Sequence, residues 1–281
     1  MKTWKKIVLG VSLISLFLGG GLVAWGYSQG GLTDLQNKTI SEQDYVKKEV
    51  KDFNKIDIKS SSYNVLIKNG EVDKATLSYY QKTKNPIDTS VKDGQLTIND
   101  SNSELDSTSN KHINFFGLKD LVRLSTLNKE VRNKTIVITL PKKQTIDFLK
   151  VDLATGNLDL SNSTIKQADI NLNVGDLTFT KMIVSNLKAN LDVGSVDSDH
   201  TLFTNSDLSI AMGDYSGDNL IFNGHNKLDV TSGDIEIVLK DYTLNVQADS
   251  HSGEVDITNN LKISKDNTLT ITSDLGDITV E

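Results

Sequence analysis

Apolar and polar residues alternate through most of the chain, and from residue 149 onward the alternation falls into lengths that repeat. Leu149, Val151 and Leu153 precede Gly156, and Leu158 and Leu160 follow it. One period on, Ile170, Leu172 and Val174 lead into Gly175, with Leu177 and Phe179 beyond. The pattern returns as Leu187, Ala189, Leu191, Val193 and Val196, as Leu228 and Val230 with Ile235 and Ile237, and as Leu269 and Ile271 with Ile278 and Val280. Alternation with period two predicts short strands with one buried face, which points Leu172 and Val230 inward and Asn171 and Asp229 outward. A third apolar position, Ile165 or Phe203 for example, follows a polar run in most periods.

A glycine marks the same phase of each period: Gly156, Gly175, Gly194, Gly213, Gly233, Gly253 and Gly276, spaced 19, 19, 19, 20, 20 and 23 residues apart. Self-similarity near twenty residues predicts a solenoid, in which each repeat buries its apolar side only by stacking on its neighbours. The glycine sits between two strands, where the chain bends and a left-handed conformation costs glycine little. The expected fold is therefore all-β, a right-handed parallel β-helix-like solenoid whose coils of about twenty residues hold two or three short strands. An antiparallel sandwich would not require one glycine at a fixed phase. A leucine-rich repeat would show helical stretches and its own Leu and Asn pattern.

Upstream the pattern is looser. Ile56, Ile58, Tyr63, Val65 and Ile67 form a coil without its glycine, running through Ser60-Ser61-Ser62 and ending at Asn69-Gly70. Strands are expected around 75–81 and 95–98, with turns at Asn85-Pro86 and Asp93-Gly94. Residues 100–112 are polar and read as a loop. Leu118, Leu121 and Val122, within 113–127, share one face at helical spacing and read as a cap over the open end of the stack, because solenoids need capping. A membrane- or partner-binding hairpin is the alternative. Thr135–Leu140 reads as a strand stopped by Pro141.

At the N-terminus Lys2, Lys5 and Lys6 precede an uncharged apolar run from Ile7 to Trp25. Nineteen helical residues at about 1.5 Å each span a bilayer core. Trp4, Trp25 and Tyr27 stand at aromatic-belt positions, and the lysines mark the cytoplasmic end. The expected organisation is a membrane anchor at 1–27, a stalk or short exposed helix at 28–52, and a β-domain at 53–281. That domain comprises irregular coils and a cap (53–148), then regular repeats (149–281). The anchor places the chain in the cell membrane as a single-pass protein with its C-terminal domain outside. A cleaved signal sequence is the alternative, although no small-x-small site follows the apolar core.

Composition narrows the chemistry. The chain has 281 residues, 37% hydrophobic, with net charge −7 and no cysteine. The acidic balance argues against a nucleic-acid partner. The missing cysteines exclude disulfides, thiol catalysis, cysteine zinc sites and a lipobox anchor. Asp176, Asp214, Asp234, Glu254 and Asp277, each following a repeat glycine, invite a calcium reading. Asn157 and Ser195 interrupt that row, and Gly-Asp is a common turn pair, so the acids read as solvated turns and no metal or cofactor is expected. Arg123 and Arg132 are the only arginines, and both lie before the repeats. His112, His200, His225 and His251 fall in separate turns. With no nucleophile elbow, zinc-protease helix or phosphate loop, no catalytic or cofactor-binding residue is assigned. A polysaccharide-active β-helix enzyme would need clustered carboxylates with a basic residue, which the repeats do not supply.

The Ile138-Thr139-Leu140-Pro141 strand end is followed by a polar gap and by the turns Thr155-Gly156-Asn157-Leu158, Val174-Gly175-Asp176-Leu177 and Ser232-Gly233-Asp234-Ile235. Over roughly residues 53–281 this resembles the bacterial putative-adhesin domain family of unknown function. The resemblance implies a Gram-positive membrane protein associated with the cell-envelope stress response and a role at the surface. Two non-enzymatic functions follow: a binding or adhesion module for an envelope protein or glycan, or an accessory or sensor protein of an envelope stress response acting through protein–protein contacts.

Overall fold

A computed structural model of the chain describes residues 43–82, 86–100 and 134–281. The chain divides into two compact units, Met1–Gln43 and Asp44–Glu281. The expected membrane helix at 7–25 and the expected cap at 113–127 lie outside the described residues. Among the described residues no helix is long and apolar enough to cross a membrane.

The second unit is built of strands. Ahead of the repeats come β1 (Gln43–Glu49), β2 (Lys55–Ser60), β3 (Asn64–Gly70), β4 (Thr76–Lys82), β5 (Asp88–Lys92), β6 (Gln95–Asn99) and β7 (Thr135–Pro141). β1 lies in the stretch read as a stalk or helix, and it is a strand whose Val46 packs on the core. The first regular coils are β8 (Thr145–Ile146), β9 (Phe148–Leu153), β10 (Leu158–Ser161) and β11 (Thr164–Ile165), then β12 (Ala168–Val174), β13 (Leu177–Thr180) and β14 (Ile183–Ser185). They continue as β15 (Leu187–Val193), β16 (Val196–Asp199), β17 (Leu202–Thr204), β18 (Asp207–Met212) and β19 (Tyr215–Asn223). The last three coils are β20 (His225–Ser232) with β21 (Ile235–Leu239), β22 (Asn245–Ser252) with β23 (Val255–Ile257), and β24 (Thr268–Leu275) with β25 (Ile278–Val280).

A full coil uses three strands. β9, β12, β15, β18 and β20 lie side by side in a ten-stranded sheet, while β10, β13 and β16 form a second face and β11, β14 and β17 a third. The long β19 serves both of the latter faces, pairing with β16 through Tyr215–Asp218 and with β17 through Ile221–Asn223. It thereby joins them into one fifteen-stranded sheet. All these pairings are parallel and in phase, so Leu158, Leu177, Val196 and Tyr215 stand in one inward column. Leu172 and Val230 are 1% and 2% exposed, and Asn171 and Asp229 face outward, as the alternation requires. Phe179, Phe203 and Phe222 pack inside on successive coils, the first pair edge-to-face with ring centroids 5.3 Å apart and the second stacked at 5.8 Å.

The glycine corner has two physical demands. Gly194 has φ +146°, and a Cβ there would lie 1.9 Å from the carbonyl oxygen of Gly175 on the coil beneath. Neither condition can be met by a residue with a side chain. The other two corners use left-handed residues of another kind: Asn162, Lys181, His200 and Asn219 at one, Asn186 and Asn205 at the next. Asparagine enters this region more readily than most residues, so it supplies most of these corners.

Coil order in the stack departs from chain order at both ends. β2 lies between β6 and β9, and β3 between β7 and β10, so the first coil of the chain is the second of the stack. At the other end β24 lies between β20 and β22, and β25 between β21 and β23. The last coil of the chain is therefore inserted beneath the one that precedes it. Hydrophobicity explains the choice. Leu269, Ile271, Ile278 and Val280 are at most 1% exposed in the inserted coil. The outer coil offers Val246 and Ala248, which are partly buried, and Val255, which is 41% exposed. Interior placement of the more apolar coil removes more apolar area from water. At the opposite end β4 pairs antiparallel with β7, and β5 with β6 through the Asp93-Gly94 turn, which covers both sheet edges.

Candidate binding faces

The residues after the repeat glycines form a ladder that the sequence reading missed. Asn64 Oδ1 accepts from the Asn157 backbone N–H at 2.9 Å, and Asn157 Oδ1 accepts from the Asp176 N–H at 3.0 Å. Asp176 receives the Ser195 N–H, and Ser195 Oγ receives the Asp214 N–H. The ladder continues from Asp214 to the Asp234 N–H, from Asp234 to the Asp277 N–H, and from Asp277 to the Glu254 N–H. Asn157 and Ser195 are thus rungs, and the acids are structural acceptors at exposed corners. A short side-chain oxygen after each glycine, whether amide, hydroxyl or carboxylate, was the legible signal.

The ten-stranded sheet presents a row of alternating charge. Asp57, Lys150, Asp169, Lys188, Asp207 and Lys227 are register neighbours on consecutive coils. Strands about 4.8 Å apart align these opposite charges along one row, and the close ion pairs there run along the strand, Lys150 to Asp152 at 3.7 Å and Lys227 to Asp229. The adjoining row carries an amide ladder, with Asn171 Nδ2 donating to Asp152 and Asn190 Nδ2 donating to Asn171, each at 3.0 Å. Hydrogen bonding to Asp229 holds the Lys227 ammonium above its ordinary pKa, and the Asp229 and Asp207 charges add to this.

The fifteen-stranded sheet carries a different row: Asp159, Thr178, Asp197, Ser216, Glu236, Thr279 and Asp256, acid and hydroxyl in strict alternation. Successive acids are two coils apart, roughly 10 Å, with a hydroxyl between. Asp159 is the buried member, 8% exposed, and burial pushes its carboxyl up to about 6 against the opposing pull of Lys68. A carboxyl raised in the folded state favours folding below its unfolded pKa near 4, and that contribution is lost as pH rises through about 6. Asp159→Asn is expected to stabilise the fold by about 2 kcal/mol near pH 7.5 and to have almost no effect near pH 3.5. Urea unfolding at the two pH values checks this, and an equal effect at both would remove ionisation as the cause.

Two smaller features lie at a corner and in a groove. His200 Nδ1 lies 2.7 Å from Asp199 Oδ1, and one ligand atom each from Asp199, His200 and Asp218 fall within 4.8 Å of one another. The three sit at a corner of two successive coils, and none is deeply buried. His225 stands apart, its Nδ1 3.0 Å from Thr268 Oγ1, and His251 lies on β22. A shallow groove of about 210 Å3 is lined by Lys59, Ser60, Ser61, Asp152, Asn171 and Asn173 among others. Its Ser60-Ser61 wall is held by the buried Asp100, which accepts from Ser60 Oγ at 3.0 Å and from the Ser61 N–H at 2.7 Å. Burial pushes the Asp100 carboxyl up, and these hydrogen bonds pull it back.

Among solved structures, the chain is similar to a putative adhesin from Bacteroides fragilis (14% identity, 85% of this chain and 97% of that one covered, TM-score 0.39). It is similar also to a putative cell adhesion protein from Clostridium sporogenes (16%, 85% and 99%, TM-score 0.30) and to a putative lipid binding protein from Parabacteroides distasonis (11%, 85% and 97%, TM-score 0.35). At such scores the likeness assigns no function. No curated protein matches the chain. The Toastrack family, DUF4097, matches from Phe53, a buried residue just ahead of β2, to residue 281. With its glycine column and stacked parallel strands over residues 53–281, the chain belongs to the Toastrack DUF4097 family.

Proposed function

We propose that this protein is a non-catalytic binding module displayed at the cell envelope. In this reading Ile7–Trp25 crosses the membrane once, with Lys2, Lys5 and Lys6 inside, and residues 32–281 stand outside. The supporting physics is the length of the uncharged run and the lysine bias beside it. The observation that carries the binding role is the row Thr178–Asp197–Ser216–Glu236–Thr279–Asp256, beyond the buried Asp159, in which acceptor carboxylates recur at regular spacing along a parallel sheet. Such a row matches an extended partner that repeats hydroxyl or ammonium donors, as a glycan or an envelope protein segment does.

The test has two arms. Protease added to intact wall-stripped cells is expected to degrade residues 44–281 while the N-terminal peptide stays in the membrane fraction; a protected β-region would remove the surface reading. In the second arm the β-region is sedimented with purified envelope polymer. Retention of the native protein and loss of retention with Asp197→Lys plus Glu236→Lys is expected. Equal retention of both would show that this face is not the one used.

A further inference from the structure

The inserted coil points to a role for a second copy of this chain, independent of the binding role above. β20 and β22 are register neighbours of the same β24 residues: Leu228 and Ala248 both face Ile271, and Asp229 and Asp249 both face Thr272. β21 and β23 flank β25 in the same way, with Glu236 and Asp256 both opposite Thr279. The two outer coils are therefore offset by twenty residues, the offset of neighbouring coils elsewhere, and form a slot one coil wide.

Charge decides what the slot accepts. Closing it directly would set Asp229 opposite Asp249 and Glu236 opposite Asp256, and like charges directly opposite destabilise a strand pair. The inserted coil faces outward at the matching positions with Thr270, Thr272 and Thr279, all uncharged, and the Thr272 hydroxyl donates to Asp229. Its inward side chains Leu269, Ile271, Ile278 and Val280 fill the core. The slot thus resists closure and is shaped for one sequence, residues 268–281. That coil is tethered by residues 258–267, a linker that can reach about 33 Å when extended. Within the linker Leu261 packs on the core and the Lys262 N–H donates to the Tyr242 carbonyl at 2.8 Å, while Ile263 beside them is 84% exposed.

We propose that residues 268–281 are exchanged between copies, the last coil of one chain filling the slot of another to give a coil-swapped dimer. The donor is identical in sequence, so every contact of the slot is kept, and the equilibrium is set by concentration and linker geometry. Two crossing linkers also bring two copies of the exposed Ile263 together.

The native chain has no cysteine, which makes the test clean. Lys227 and Thr270 are outward register neighbours, a separation that suits a disulfide. Full-length Lys227→Cys and full-length Thr270→Cys, with different tags, are mixed in detergent, opened with denaturant, refolded together and oxidised. The expected result is a mixed-tag disulfide dimer that increases about tenfold or more over a hundredfold rise in protein concentration. The double variant Lys227→Cys/Thr270→Cys serves as the geometric control and should bridge within one chain when diluted. If that control bridges while the mixed-tag dimer is absent at every concentration, the exchange is overturned. A bridge within one chain in Lys227→Cys/Gln247→Cys would overturn it as well, because it would show the slot shutting on itself.

Discussion

Gly194→Ala is expected to destabilise residues 44–281 by about 4 kcal/mol or more, a loss large enough to unfold many domains of ordinary stability. Two costs combine. Alanine at φ +146° is strained, and its Cβ would sit 1.9 Å from the Gly175 carbonyl oxygen. The coil cannot slide away from the clash, because Gly213 rests on the other side, its own Cβ position 2.1 Å from the Gly194 oxygen. Ser195→Ala, one residue on, removes only an acceptor at 3.3 Å and should cost less than about 1 kcal/mol. Urea midpoints of the two variants provide the comparison. Similar midpoints would mean that the glycine column is not what fixes the stacking distance.

Leu172→Asp carries the second large effect. Leu172 stands in the inward column between Leu153 and Leu191, with 1% of its surface exposed. A carboxylate there has no partner, and the lost leucine leaves a void, so a cost of about 4–5 kcal/mol is expected at neutral pH. Part of it should return as pH falls from neutral toward about 4, because burial raises the carboxyl's pKa and it takes up a proton over that range. The neighbouring Asn171→Asp is an outward change with a different cause. It forfeits the amide proton given to Asp152 and sets two carboxylates side by side, a cost of about 1 kcal/mol. Melting curves at pH 7 separate the two, and equal losses would sink the inward and outward assignment.

The fold was legible where one residue type answers one demand. A glycine every nineteen or twenty residues records a backbone contact that only glycine permits, and the flanking alternation records which side faces the core. The other corners left no such mark, because Asn162, Lys181, His200 and Asn219 share a left-handed conformation without sharing a side chain. The order of coils was hidden for a deeper reason. Gly233 and Gly253 are twenty residues apart and look like stacked neighbours, yet Gly276 lies between them. Spacing reports the length of a coil and not which coil it lies against. The facing acids Glu236 and Asp256 were the available clue, and they become visible only once that register is written down. The charge row Asp57–Lys227 and the acid–hydroxyl row were hidden in the same way, since neither is contiguous in the chain.

Burial of the first coil one place inside the stack has a mechanical consequence. β2 is hydrogen-bonded on one side to β6 and on the other to β9, and β3 likewise to β7 and β10. Once the edge strand β1 has come away from β4, a pull on the chain from its N-terminal side cannot peel an end coil away one hydrogen bond at a time. It must draw β2 and β3 out from between two neighbours, loading both ladders together. Under the N-terminal anchor proposed above, the arrangement turns the weakest point of a solenoid, its terminal coil, into a clamp that resists tension.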